Sequence, residues 1–162
     1  MGLKFSQFDP GSIGEELSQP TKLRLRRLLD YWNEKRGNRP MPSRADIDPL
    51  DFQYLLGDIA IADVIGDPPR FHFRLYGSNL ATRLGTDLTG KSPNDHPDPM
   101  FGEVMNSTYR EVVEKKSPTM TRRRMIGPSR NLFQFEVLRL PLSSDGSRVD
   151  KLLIGVAFDD EV

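Results

Sequence analysis

The sequence predicts an α+β fold in a single domain, and three observations carry that prediction. Apolar residues recur at helical spacing in two segments, around Leu25 to Trp32 and Phe101 to Val113. Five runs rich in β-branched and aromatic residues, two before the second helical segment and three after it, read as strands. Glycine- and proline-rich turns separate the runs, and no repeat of roughly 20 to 50 residues is present. At 162 residues the chain suits one hydrophobic core.

Residues 1–19 hold Gly2, Pro10, Gly11 and Gly14 with no apolar period and read as a flexible arm, so the domain is expected over 20–162. Its first element is a helix over 20–36, where Leu25, Leu28, Leu29 and Trp32 share one face and Gly37 provides the stop. A proline-rich connector with Pro40, Pro42 and Pro49 follows and ends in a short helix that Asp48 caps. Residues 59–65 and 71–76 form a candidate hairpin across the turn formers Gly66, Asp67, Pro68 and Pro69. Within 71–76, strict alternation puts Phe71, Phe73 and Leu75 on one face and His72, Arg74 and Tyr76 on the other.

Residues 78–84 form a short helical turn closed by Gly85, and Gly90, Pro93 and Pro97 break the next stretch into a loop. Asp98 and Pro99 then give an N-cap and first position for the longest helix, which runs to about Lys116. Runs 119–126, 132–142 and 149–158 read as an antiparallel meander, with Gly127-Pro128 and Asp145-Gly146 in its turns. In the middle run Phe133, Phe135 and Val137 share one parity and Leu138, Leu140 and Leu142 the other. Either a bulge shifts the register or both faces are covered.

Composition narrows the chemistry. Lys plus Arg and Asp plus Glu are 23 each, which denies the chain an overall field for polyanions or basic partners. The absence of cysteine excludes disulfides, thiolate metal sites, cysteine nucleophiles and sulfur-bonded chromophores. With two histidines, His72 and His96, a multi-histidine metal cage is not expected. No apolar run approaches the roughly 18 residues of a membrane span and no secretory signal is present, so a cytoplasmic location is expected. The opening Met1 to Ser6 fits the loose myristoylation pattern, which short sequences often match by chance. There is no nucleophile elbow, phosphate-cradling P-loop or dinucleotide fingerprint.

At residue level, 44–49 (RADIDP), 71–77 (FHFRLYG), 85–90 (GTDLTG) and 140–146 (LPLSSDG), in this order, resemble the single-domain PAS proteins common in alphaproteobacteria, over about residues 24–158. The resemblance implies that the two strand groups meet in one five-stranded antiparallel sheet, with a helical crossover on one face and the N-terminal helix as an addition. It also implies a non-catalytic sensory or regulatory module with a small-molecule cavity between sheet and crossover and often a dimer through the N-terminal helix. Signal is then expected to pass to a separate protein, such as a kinase. Under this arrangement Phe101, Met105 and Tyr109 of the long helix, with Leu80 and Leu84 of the short one, face Phe73, Leu75, Leu140 and Ile154 of the sheet. These nine residues are the candidate pocket for a small apolar ligand; the competing reading is a filled core. Leu25, Leu28, Leu29 and Trp32 are the candidate interface, and capping of the chain's own sheet stands beside dimerisation as an equal alternative.

Oxygen-sensing relatives carry an axial haem histidine within the long helix, whereas His96 precedes it. A capping or surface histidine is therefore expected, and no cofactor. Two other readings are open to the sequence. A small enzyme would use Asp63, Asp95 or His96 as a base for proton transfer. A nucleic-acid adaptor would use Lys22, Arg24, Arg26 and Arg27, or Arg122 to Arg124; those clusters read as solvated faces, so no nucleic-acid partner is expected.

Overall fold

The computed structural model describes residues 14–126, 130 and 132–159. The opening residues with their myristoylation pattern and the Gly127-Pro128 turn lie outside the described residues. Six strands form one antiparallel sheet: β1 (Glu15–Glu16), β2 (Ile59–Ile65), β3 (Arg70–Tyr76), β4 (Thr119–Ile126), β5 (Leu132–Leu142) and β6 (Lys151–Phe158), in the order β1-β4-β5-β6-β2-β3. The helices are α1 (Leu23–Arg36), α2 (Ser78–Leu84) and α3 (Pro99–Lys115), with 3₁₀ segments at Arg44–Asp46, Pro49–Asp58 and Pro93–Asp95.

The expected five strands are β2 to β6, and β1 is the sixth. Glu15 and Glu16 pair with Arg122 and Thr121, and the Leu17 N–H donates to the Met120 carbonyl at 3.0 Å. Part of the segment read as an arm thus covers the edge of β4. Two residues are too few to show a period, so no pattern announces the strand.

The caps follow the sequence. Asp98 accepts from the Met100 N–H at 3.0 Å with Pro99 in the first turn, and Asp48 accepts from the Leu50 N–H at 3.0 Å ahead of Pro49. Gly85 closes α2 with φ 87°, the left-handed conformation that glycine tolerates best. Helix α1 has no side-chain cap of its own. The buried Glu136 of β5 supplies one from across the fold, accepting from the Thr21 N–H at 2.7 Å, from the Thr21 hydroxyl and from the Lys22 N–H at 3.4 Å. Burial alone would push this carboxyl up. The bonds from Thr21 and Lys22, with Arg122 at 3.4 Å, outweigh it and hold the group below the usual range.

Both sheet faces are covered. Register along β4-β5-β6 is unbroken, so the two apolar parities of β5 reflect two buried faces and no bulge. Helix α1 lies on the outer face. Leu28 and Leu25 pack so closely on Gly155 of β6 that a Cβ there would lie 2.7 and 3.2 Å from their methyl carbons. The Trp32 indole donates to the Pro141 carbonyl at 2.9 Å. Helices α2 and α3 with their connecting loop cover the inner face.

Candidate functional site

The space between α3 and the inner face is where the nine pocket residues were expected. Leu80, Leu84, Phe101, Met105, Tyr109 and Ile154 do converge there, around a cavity of about 30 Å³. Phe73 flanks it, with its ring 5.0 Å from Tyr76 and 6.3 Å from Tyr109 between centroids. Leu75 and Leu140 do not belong to it.

Leu75 is excluded by a bulge. Ile61 pairs with Leu75 and Ala62 with Phe73, so Arg74 is the extra residue and parity reverses beyond it. Tyr76 turns inward in place of Leu75, opposite the expected alternation. Leu140 is excluded by register. Leu138 pairs with Gly155, which meets α1, and Leu140 two residues on shares that outer face.

The lining that sequence reading missed is Ala60, Tyr76, Met125, Phe135, Val137, Val156 and Phe158. For the last four, unbroken alternation through β5 and β6 was the available signal. Phe133, Phe135 and Phe158 form an aromatic cluster with centroids 5.7 to 5.9 Å apart, and the Arg83 guanidinium lies over Phe158 at 4.3 Å.

The cavity has room for about one water-sized molecule, far below the roughly 300 Å³ of a typical ligand site. Its walls are apolar except for tyrosine. The Tyr76 hydroxyl is buried without a protein partner, and burial pushes its pKa up; burial also pushes the Tyr109 hydroxyl up to about 12. Arg139 stands beyond Tyr109, fully buried, with one bond to the Thr121 hydroxyl at 3.0 Å and its Nε unpartnered. Burial lowers its pKa to about 10, so the guanidinium stays charged at neutral pH.

The stripe of α1 takes the intramolecular alternative. Leu25, Leu28 and Trp32 are 0, 0 and 3% exposed against their own sheet, which corrects the reading of these three as an interface with another chain; Leu29 is half-buried. The neighbouring cations are also used within the chain. Lys22 pairs with Asp159 at 3.1 Å and Arg24 with the buried Asp58 at 3.1 Å, while Arg26 donates to the Pro20 carbonyl at 2.9 Å and Arg27 covers the Tyr54 ring at 3.8 Å. Arg122 pairs with Glu136.

The three candidate bases hold structural positions. His96 is buried: its Nε2 donates to the Leu84 carbonyl at 2.9 Å, its Nδ1 accepts from the Asp98 N–H at 3.0 Å, and its ring stacks on Phe101 at 4.2 Å. Both nitrogens are engaged, so this is a capping histidine in the core rather than at the surface, with no lone pair free for a metal. Burial raises the Asp63 carboxyl, but hydrogen bonds from Lys151 and Arg74 carry it below the usual range. Asp95, exposed, is lowered by the Ser92 N–H it accepts at 2.9 Å.

A sheet ordered β4-β5-β6-β2-β3, crossed on one face by two helices and their loop around an internal core, defines a small class of α+β module. The sequence matches the PAS domain family over residues 21–157, and the chain belongs to that family. The match bears out the resemblance read from the sequence. Among solved structures the chain is similar to an RNA-binding light-oxygen-voltage receptor, with a TM-score of 0.54 and 13% identity over 93% of this chain. It spans 39% of that receptor's length. A PAS domain from Colwellia psychrerythraea is also similar, with a TM-score of 0.44 and 16% identity over 68% of this chain and 97% of that one. At such identities the likeness to the receptor shows the fold alone. No curated protein matches. Among the described residues no helix is long and apolar enough to cross a membrane.

Proposed function

We propose that this chain is a non-catalytic regulatory PAS module of the cytoplasm that works by binding protein, either a second copy of itself or a signalling protein such as a kinase. One observation carries the reading: the side chains of the inner core themselves fill the space that a ligand would use, leaving about 30 Å³. A small apolar ligand enters this core only by displacing Met105 and Met125, the flexible members of the lining. The commitment of Asp63, Asp95 and His96 to caps and ion pairs supports a non-catalytic role. The RNA binding of the light-oxygen-voltage receptor is not carried over, because Lys22, Arg24, Arg26, Arg27 and Arg122 are satisfied within the chain.

Native mass spectrometry of the purified chain beside a denatured control, with light scattering for the mass in solution, tests this reading. The expected result is no bound apolar molecule, with association to itself or to a captured kinase-type partner. A stoichiometric, drug-sized apolar molecule that co-purifies would overturn the filled-core reading and return the cavity to a sensor's role.

A further inference from the structure

The loop-facing edge of β3 carries a second, polar site. β3 ends the sheet, and the loop satisfies its outer edge at Phe73, whose N–H donates to the Lys91 carbonyl at 2.8 Å and whose carbonyl accepts from the Gly90 N–H at 2.9 Å. Backbone direction repeats every second residue, so Phe71 turns its N–H and C=O to the same edge. There the sheet borders a groove of about 320 Å³, within the size range of small-molecule sites. Arg70 and His72 flank Phe71 from the strand, Arg110 reaches it from α3, and Asn94 and Asn106 close it, linked by a 2.8 Å hydrogen bond.

The charge is one-sided. No carboxylate lines the groove, and Asp95, the acid that His72 influences, has its Oδ2 occupied by the Ser92 N–H and hydroxyl at 2.9 and 3.2 Å. Among the described residues the guanidiniums of Arg70 and Arg110 make no hydrogen bond or ion pair, whereas Arg24, Arg26, Arg74, Arg122 and Arg139 each have a partner in the chain. Two guanidinium forks, an imidazole and a backbone N–H offer more donors than one carboxylate accepts. They suit a group with three terminal oxygens.

We propose that this groove binds the phosphate group of a small phosphorylated molecule, gripped between Arg70 and Arg110 with the Phe71 N–H beneath. The site lies outside the inner core and does not depend on whether the module binds protein.

The test is a titration of the ¹⁵N-labelled chain with inorganic phosphate and then pyrophosphate, following the Phe71 and His72 amides and the Asn94 and Asn106 side chains by NMR. Saturable shifts confined to these signals are expected, with tighter binding of pyrophosphate. Arg70→Gln and Arg110→Gln, both at exposed positions that leave the fold intact, should each weaken binding about tenfold or more, the loss of a charge-assisted pair. Arg36→Gln, at the far end of α1, should leave it unchanged. Equal affinity in the groove variants, or shifts that never saturate and vanish at about 150 mM salt, would overturn the site. A glutamate-rich peptide or a short single-stranded RNA that occupies the groove more tightly than pyrophosphate would overturn the small-molecule assignment.

Discussion

The contact between α1 and β6 can be tested by a double-mutant cycle on Leu28 and Gly155. Leu28 is fully buried, and truncation to alanine in a core that collapses incompletely costs about 2–5 kcal/mol. Gly155→Ala acts in the opposite sense, by overpacking. Its Cβ would sit 2.7 Å from a Leu28 methyl that is itself enclosed, so α1 must lift, at about 1–3 kcal/mol. The alanine recovers about 0.5–1 kcal/mol that glycine forfeits in a strand. Independent effects would therefore sum to roughly 2–7.5 kcal/mol. In the double variant the new Cβ occupies the space that Leu28 vacates, so the double should be no less stable than Leu28→Ala alone. The coupling should reach about 1–2 kcal/mol. Urea unfolding followed by circular dichroism measures all four corners, and each kcal/mol moves Tm by about 2–4 °C at this chain length. Additivity within about 0.5 kcal/mol, or a double variant clearly less stable than Leu28→Ala alone, would refute the packing of α1 on β6.

Three further outcomes follow from the same geometry. Glu136, held below its usual range in the fold, contributes stability that is complete above the unfolded carboxylate range and is lost as pH falls through its folded pKa. Glu136→Gln should lower the urea midpoint at neutral pH and flatten its fall on the acid side, read from midpoints between about pH 7 and pH 3. Trp32→Phe removes the donor to Pro141 and should lose about 1–2 kcal/mol, with no change in solution mass by light scattering. Arg139→Met replaces a buried guanidinium that has one hydrogen bond with an apolar chain of similar length, so its Tm should equal or exceed that of the parent.

The legibility of this sequence depended on how local each signal was. Helix α3 was readable from Asp98, Pro99 and its apolar period because capping and amphipathicity are encoded within a few residues of each other. The strands after it were placed residue for residue at 119–126 and 132–142, since β-rich runs bounded by turn formers are equally local. Face assignment was not local. The bulge at Arg74 arises from pairing with Ile61 and Ala62, and nothing in residues 71–76 distinguishes a bulged strand from a regular one. It exchanged Leu75 for Tyr76 in the cavity. Leu140 was misplaced for a related reason: a strand apolar on both sides does not say which side meets which helix, and the answer depends on Gly155, fifteen residues later. The long-range cap from Glu136 to Thr21 was beyond reach because its partners lie 115 positions apart.

The same two-sided sheet constrains how the module can respond to anything it binds. Along β6, Ile154 and Val156 face the inner cavity, while Gly155 between them bears on Leu25 and Leu28 of α1. Displacement of Met105 and Met125 to admit a ligand presses on a strand whose reverse side has no slack, because interiors packed to crystal-like density transmit strain. Helix α1 is held to that reverse side by methyl contacts, the Trp32 bond and the Glu136 cap, three ties that a small shift of β6 and β5 loads together. A change in the inner core is therefore expected at α1 before it is felt at β1, the strand farthest from β6. A partner reading the module's state would accordingly do best to contact the outward side of α1, where Leu29 remains half-accessible, rather than the buried stripe beneath it.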